Sequence, residues 1–510
     1  MNLTDPLARW AAREPAKAAL VTPSETVTFA ELAERTDRLA AGLRARGLRE
    51  GDPVALFLPT GVPSVVATIA LLKAGMVYVG LNVMLRAKEV RDIVANADCK
   101  AILVAEELRE VVAEACRELP MIEHVIVVGA GEEGGYEQLL ERPAQGGPSR
   151  SVAADDLAAL FYTGGTTGAP KGAMHSHRTL LSWMEIVAPR VALTPADRAI
   201  AMIPTFIGGA FMVATWAPLA AGATVYLSER FDPAEAVDLM EAEKVTFTWG
   251  SIGVIQRINE LPGDADLSAM TRSVWGGYSH PTAMRREFEA RFGARAFHAW
   301  GMSETVGTVI LQPPEDNDAR QPERRYASVG LPVAGVEAAI LDDDGAELPP
   351  GEPGELCLRS VEGGGWLPFL GYYNDAEASA RAFASGQLHT NDLATIDADG
   401  WVTVEGRRGD LIKVSGWSVY ATELEEFIAG DERVREVAVV GVSDPRSGQR
   451  PVAFLTVKEG AELSGDDICE RVSTGLANFK RLKQAIVVPE LPKNYYGKIL
   501  KQKLDLEQVR

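Results

Sequence analysis

Along the first half of the chain, short apolar runs alternate with stretches whose apolar residues recur at helical spacing. Thr28 to Gly47 has that spacing, Pro53 to Leu58 reads as a strand and Val65 to Lys73 as a helix. After the apolar run Leu157 to Phe161 the alternation resumes. Strand Ala199 to Ile203, a helix near Gly209 to Ala220, strand Thr224 to Leu227, helix Pro233 to Glu243 and strand Val245 to Thr248 follow in order. This alternation predicts an α/β fold whose large N-terminal domain contains two βα-layered subdomains.

From Val336 to Gly406 the pattern shifts to short strands separated by turns such as Asp342-Asp343-Asp344-Gly345 and Asp397-Ala398-Asp399-Gly400, which predicts a small antiparallel, barrel-like β element. The last hundred residues predict a small α+β domain: helix Thr422 to Ile428, strands Val437 to Val442 and Val452 to Val457, and helix Gly465 to Ala477. The charged stretch Arg407-Arg408-Gly409-Asp410 separates the two parts without a Gly/Ser tether, which suits a defined hinge. The expected division is 1–409 and 410–510.

Composition narrows the function classes. The 510 residues are 46% hydrophobic, enough for about three cores at ~150 residues each. Lys plus Arg number 51 against 71 Asp plus Glu, so the net charge of −20 disfavours a nucleic-acid or anionic-membrane surface. Cys99, Cys116, Cys357 and Cys469 are widely separated and read as reduced core thiols. Neither a leader-like apolar segment nor an uninterrupted apolar run of membrane-spanning length is present, so the expected location is cytoplasmic, with no integral membrane segment. The six histidines make no metal-binding spacing.

Candidate chemistry begins at Tyr162-Thr163-Gly164-Gly165-Thr166-Thr167-Gly168-Ala169-Pro170-Lys171-Gly172. Glycines let backbone N–H groups turn toward an anion, threonine hydroxyls add donors, and the lysine adds a cation. The neighbours of Lys171 are Pro170 and Gly172, so this is not a Walker A loop, which has Gly before and Ser or Thr after its lysine. Four further segments carry polar groups suited to ATP: Ala299-Trp300-Gly301-Met302-Ser303-Glu304-Thr305, Thr390-Asn391-Asp392, Arg407 to Gly416, and Asn494-Tyr495-Tyr496-Gly497-Lys498-Ile499.

These five segments, in this order, resemble the adenylate-forming superfamily of acyl-CoA synthetases, nonribosomal adenylation domains and firefly luciferase, and the likeness spans essentially the whole chain. The resemblance implies that Thr163, Gly164, Gly165, Thr166, Thr167, Gly168 and Lys171 hold the β- and γ-phosphates. It implies that Gly277 and Trp300 flank adenine, Gly301 belongs to the nucleotide site, Ser303 meets the α-phosphate, Glu304 ligates Mg²⁺, and Asp392 and Arg407 bind ribose. Lys498 would neutralise charge as a carboxylate attacks the α-phosphorus and pyrophosphate departs. Asp410 would be the hinge of a mobile C-terminal domain, and Lys413, Ser415, Gly416 and Trp417 would line a pantetheine tunnel. Acyl-pocket positions are Phe206, Ile207, Gly208, Trp249, Tyr278, Met302 and Val306, where bulky Trp249 and Tyr278 lean toward a compact or aromatic acid over a long chain, against which adjacent Gly208 and Gly209 would open space elsewhere.

Implied cofactors are ATP, Mg²⁺ and coenzyme A, with a carboxylic acid as substrate and coenzyme A, or an acyl or peptidyl carrier protein, as acceptor. An assembly as a homodimer stays open, as does a catalytically impaired nucleotide-binding homologue. The chain departs from the family pattern at Gly164 (commonly Ser), Asn391 (commonly Gly), Ser303 (commonly Thr) and Ile207 (often His or Asp). An ammonium beside Ile207 would be buried without a partner, which disfavours amino-acid substrates. Stripped of context, Trp300 and Phe206 read as core aromatics, Glu304 and Asp392 as helix-start and turn carboxylates, Lys498 as a surface charge, and His175 and His177 as capping or packing residues.

Overall fold

The computed structural model describes residues 3–129, 134–141, 152–164, 170–276, 282–313, 323–342, 344–407, 411–458, 460–492, 499 and 501–509. It forms two compact units. The first comprises Met1–Val83, Val94–Tyr162 and Gly172–Gly406, and the second Met84–Ile93, Thr163–Lys171 and Arg407–Arg510.

Three sheets build the first unit. A six-stranded sheet runs in the order His124–Val128, Ala101–Ala105, Pro53–Phe57, Val77–Gly80, Leu157–Gly164, Pro170–Ser176, and the pairings of its first five strands are parallel. The strand Pro53–Phe57 is buried along its whole length, as expected of a central parallel strand with helices on both faces. Helix Phe29–Ala45 starts where the sequence places it because Thr28 and Glu31 form a reciprocal capping box. A nine-stranded sheet orders Leu331–Pro332, Thr308–Leu311, Ala296–Gly301, Arg272–Gly276, Phe247–Ser251, Arg198–Ala201, Thr224–Leu227, Ala18–Val21 and Thr26–Thr28.

The short strands after Val336 form an antiparallel four-stranded sheet: Val336–Leu341, Gly354–Ser360, Leu388–Ile396 and Val402–Arg407. One continuous core joins all three sheets, with Leu56 and Leu103 from the first, Phe247 and Phe297 from the second, and Leu356 and Leu388 from the third. The predicted helix near Gly209 to Ala220 is helical throughout but not uniform: Phe211–Trp216 is wound as a π-helix, a form concentrated at functional sites.

The second unit has its own core, including Ile412, Leu424, Ile428, Leu455 and Val472. Its sheet orders Trp417–Tyr420, Leu411–Val414, Gly448–Val457 and Val434–Asp444, with Gln484–Val487 added beside Gly448–Val457. Helices Ala421–Ala429 and Gly465–Gly475 belong to this unit. Among the described residues, no helix is long and apolar enough to cross a membrane.

Candidate nucleotide and acyl site

The glycine-rich segment joins two neighbouring strands of one sheet, Leu157–Gly164 and Pro170–Ser176. A Walker A loop opens into a helix, so the following strand agrees with the mismatch at Pro170 and Gly172. Thr163 and Gly164 end the first strand, and half-buried Lys171 is the second residue of the next. Gly165, Thr166, Thr167 and Gly168 lie outside the described residues, as do Gly277, Tyr278, Asp410 and Lys498.

Two motifs far apart in sequence meet at Trp300 and Asp392. Both are buried, and the Trp300 indole Nε1–H donates to Asp392 Oδ2 at 2.9 Å. A carboxylate has about four lone-pair directions, so this bond leaves acceptor capacity for a further donor such as a hydroxyl. Trp300 therefore packs in the core and orients a carboxylate at once. At the next position, a Cβ on Gly301 would lie 2.0 Å from the Gly307 carbonyl oxygen, so only glycine permits this approach of the two strands.

Ser303, Glu304 and Thr305 form a 3₁₀ turn just beyond that strand. Thr305 closes it, accepting from the Met302 N–H at 3.0 Å and donating from the same hydroxyl to the Gly307 carbonyl at 2.5 Å. Fully buried His175 reaches the turn from a second element, its Nε2 lying 2.8 Å from the Ser303 carbonyl. Burial drives the His175 pKa down to about 4, so the ring is neutral and Nε2–H donates. Buried Glu304 accepts from the Tyr372 hydroxyl at 2.5 Å through Oε1, and the Phe369 N–H donates to its backbone carbonyl at 2.9 Å. Sequence reasoning did not single out Tyr372, and it assigned His175 only to capping or packing. A Tyr in the run Gly371-Tyr372-Tyr373-Asn374 gives no signal of which carboxylate it meets.

A single carboxylate oriented by a hydroxyl, as Glu304 is by Tyr372, suits Mg²⁺, which keeps several waters and takes the rest of its ligands from substrate phosphates. Glu304 therefore fits that ion chemically.

Two of the acyl-pocket candidates, Met302 and Val306, flank the same turn. Val306 follows it with φ 69° and ψ −30°, a positive-φ conformation that is strained for a β-branched side chain, and it is fully buried. Its carbonyl oxygen would lie 2.7 Å from a Cβ on Gly209, so the helix start and the turn touch through backbone. The room expected beside Gly208 is filled: a Cβ there would lie 2.1 Å from the Phe161 ring. Phe206 is buried and its carbonyl, like that of Thr205, accepts from the Tyr78 hydroxyl at 3.2 Å. Trp249 is buried, whereas Ile207 and Met302 are half-buried.

In the second unit, Ser415 and Gly416 form the two-residue turn of the hairpin between Leu411–Val414 and Trp417–Tyr420, with φ of 52° and 85°. Positive φ at both central residues is the type I′ geometry that matches strand twist. The Ser415 N–H donates to the Ser447 carbonyl at 2.7 Å, the Lys413 N–H to Gln449 Oε1 at 2.8 Å, and Trp417 stacks on Phe479 with ring centroids 5.0 Å apart. Arg407 ends the strand Val402–Arg407; its side chain lies outside the described set.

The AMP-binding enzyme family matches residues 7–373, and the AMP-binding enzyme C-terminal domain matches residues 423–498. Feruloyl-CoA synthase of Amycolatopsis sp is 31% identical over 477 residues, covering 93% of this chain and 92% of its own length. A long-chain-fatty-acid–CoA ligase of Salmonella typhimurium is 30% identical over 532 residues, covering 95% and 91%. Among solved structures, an amide bond synthetase from Marinactinospora thermotolerans superposes with a TM-score of 0.88 at 26% identity, covering 99% of both chains. The chain belongs to the AMP-binding enzyme family, the adenylate-forming acyl-CoA ligases and their relatives.

Proposed function

We propose that this protein activates a carboxylic acid as its acyl adenylate and transfers the acyl group to coenzyme A. The observation that carries the reading is the joining of Trp300 to Asp392 beside the Ser303–Thr305 turn, within a chain whose relatives are named CoA ligases. A carboxylate is a poor acyl donor because its leaving group would be oxide. Attack of its oxygen on the α-phosphorus of ATP breaks the bond to pyrophosphate and leaves a mixed anhydride. The thiol sulfur then attacks the acyl carbon and AMP departs.

In this reading Asp392 and Arg407 take the ribose hydroxyls, and Gly277, Trp300 and Gly301 border the base. Ser303 donates to the α-phosphate. Thr163 to Gly168 with Lys171 hold the departing pyrophosphate, and Lys498 offsets charge at the reacting phosphorus. Mg²⁺, when bound at Glu304, supplies charge neutralisation to the phosphates. The Ser415-Gly416 turn, with Lys413 and Trp417, faces the thiol donor. Phe206, Ile207, Gly208, Trp249, Tyr278, Met302 and Val306 form the acyl pocket. Buried Trp249 and the filled space at Gly208 support a compact or aromatic acid over a long chain.

Lys498→Ala tests the assignment. Pyrophosphate release should fall by about 10²-fold or more, the loss typical of removing one preorganised transition-state charge. Thioester formation from supplied acyl-AMP should stay near wild type. Equal losses in both half-reactions would remove Lys498 from the adenylation step.

A further inference from the structure

The strand carrying Asp392 does not run in simple register with its neighbour. Gly354 and Glu355 pair with Ala394 and Leu393, whereas Cys357 and Leu358 pair with His389 and Leu388. Between those pairs a single residue, Leu356, on Gly354–Ser360 is thus matched by three, Thr390, Asn391 and Asp392, on Leu388–Ile396, and the surplus bulges out there. Asn391 takes φ 59°, which Asn tolerates best after Gly and which explains how it replaces the commoner glycine. Thr390 pins one side, donating to the Leu356 carbonyl at 2.7 Å and accepting from the Asp392 N–H at 3.1 Å.

Glu355 pins the other side. Buried, it accepts from the Asn391 N–H at 3.0 Å through Oε1, while Oε2 lies 3.1 Å from His389 Nδ1. His389 Nε2 lies 3.1 Å from the Ala384 carbonyl, and Cys357 Sγ 3.5 Å from Nδ1. The carboxylate is therefore clamped between a backbone N–H and an imidazole, and the N–H it holds belongs to the left-handed residue immediately before Asp392.

We propose that Glu355, oriented by His389, is a positioning residue that sets the bulge and thereby aims the Asp392 carboxylate at the nucleotide. Glu355, Cys357 and His389 also form a group of metal-competent atoms within 4.8 Å of one another. Their direct contacts and the Asn391 N–H already use the carboxylate. Burial with the nearby Glu355 charge pushes the Cys357 thiol up to about 12, which favours the neutral thiol over the thiolate that a metal takes. Hydrogen bonding thus accounts for the cluster without an ion.

The inference rests on Asp392 as a nucleotide ligand, so the test separates the two. ATP affinity of the full chain is measured by calorimetry for wild type, Asp392→Ala, Glu355→Ala, Glu355→Gln and the Glu355→Ala/Asp392→Ala pair. Asp392→Ala and Glu355→Ala should each weaken ATP by about tenfold, as expected for lost hydrogen bonds to a charged group. Glu355→Gln, whose amide oxygen still accepts from Asn391, should stay within about threefold of wild type. Adding Glu355→Ala to Asp392→Ala should cost less than about twofold, because coupled residues are non-additive.

Wild-type affinity in a folded Glu355→Ala protein, or multiplying losses in the pair, would overturn the proposal. Wild-type affinity in Asp392→Ala would instead sink the nucleotide role of Asp392, and the proposal with it. One equivalent of a transition metal in the purified protein would overturn it by assigning the cluster to an ion. Should Glu355→Ala fold too poorly to titrate, His389→Leu run through the same cycle decides by the same criteria.

Discussion

Tyr372→Phe removes one oxygen and leaves a ring that keeps its edge-to-face packing on Phe369, at 4.9 Å between centroids. What is lost is the 2.5 Å hydrogen bond to Glu304 Oε1, at the short end of the range for O–H donors on a carboxylate. Glu304 is only 5% exposed, so water does not readily replace the hydroxyl. A hydrogen bond to a buried charge contributes about 1.5–3 kcal/mol, which corresponds to about a 10- to 150-fold loss if it appears wholly in the transition state. On the proposed assignment the loss falls on kcat/KM for pyrophosphate release, and half-saturating Mg²⁺ rises because the carboxylate is no longer held in one orientation. Thioester formation from supplied acyl-AMP is the internal control. Tyr373→Phe is the neighbouring control, since its hydroxyl meets Asp98 at an exposed 3.3 Å and should matter little. Wild-type kcat/KM and wild-type Mg²⁺ dependence in Tyr372→Phe would refute the claim that this hydroxyl orients Glu304.

Three other outcomes follow from the geometry. Gly208→Ala should lower the denaturant midpoint by the equivalent of about 1–3 kcal/mol through overpacking against Phe161, and Phe161→Leu should recover part of it; strict additivity would contradict that contact. Burial depresses His175 and His177 to about 4, so the unfolded chain binds more protons between pH 6.5 and about 4. The stability present above pH 6.5 should therefore fall by up to about 1.4 kcal/mol per pH unit for each histidine as acid is added, and His177→Gln should roughly halve that slope in urea titrations; a flat profile would refute the burial argument. Gly301→Ala should abolish ATP binding or folding, because the added Cβ meets a backbone oxygen that cannot rotate away; a folded variant with wild-type ATP affinity would show that the strands can separate there.

Much of the fold was legible because hydrophobic periodicity is local. Helix Phe29–Ala45 and the strands Pro53–Phe57 and Thr224–Leu227 lie where the pattern puts them, and the change from alternating βα units to short turn-separated strands marks the antiparallel sheet after Val336. The family motifs also single out Trp300, Glu304 and Asp392 as candidates, and Trp300 and Asp392 meet in the fold. What escaped the sequence depends on long-range register or backbone strain. The Tyr372–Glu304 bond links positions 68 residues apart, and the Glu355–His389 contact needs a cross-strand register broken by a bulge. Alternation could place Glu355 and Cys357 on one strand face, but nothing local brings His389 opposite them. The positive-φ Val306 and the π-wound Phe211–Trp216 have no compositional signature, since neither contains a glycine or an internal proline to announce them.

The most direct test of the central claim is product identity. The purified protein is incubated with ATP, Mg²⁺ and coenzyme A against a panel of aromatic, short-chain and long-chain carboxylic acids, and nucleotide and thioester products are resolved by mass spectrometry. The account predicts AMP, pyrophosphate and an acyl-CoA in equal amounts, with compact or aromatic acids preferred. ADP formation, or an acyl adenylate that passes to an amine or a carrier protein but not to coenzyme A, would contradict it.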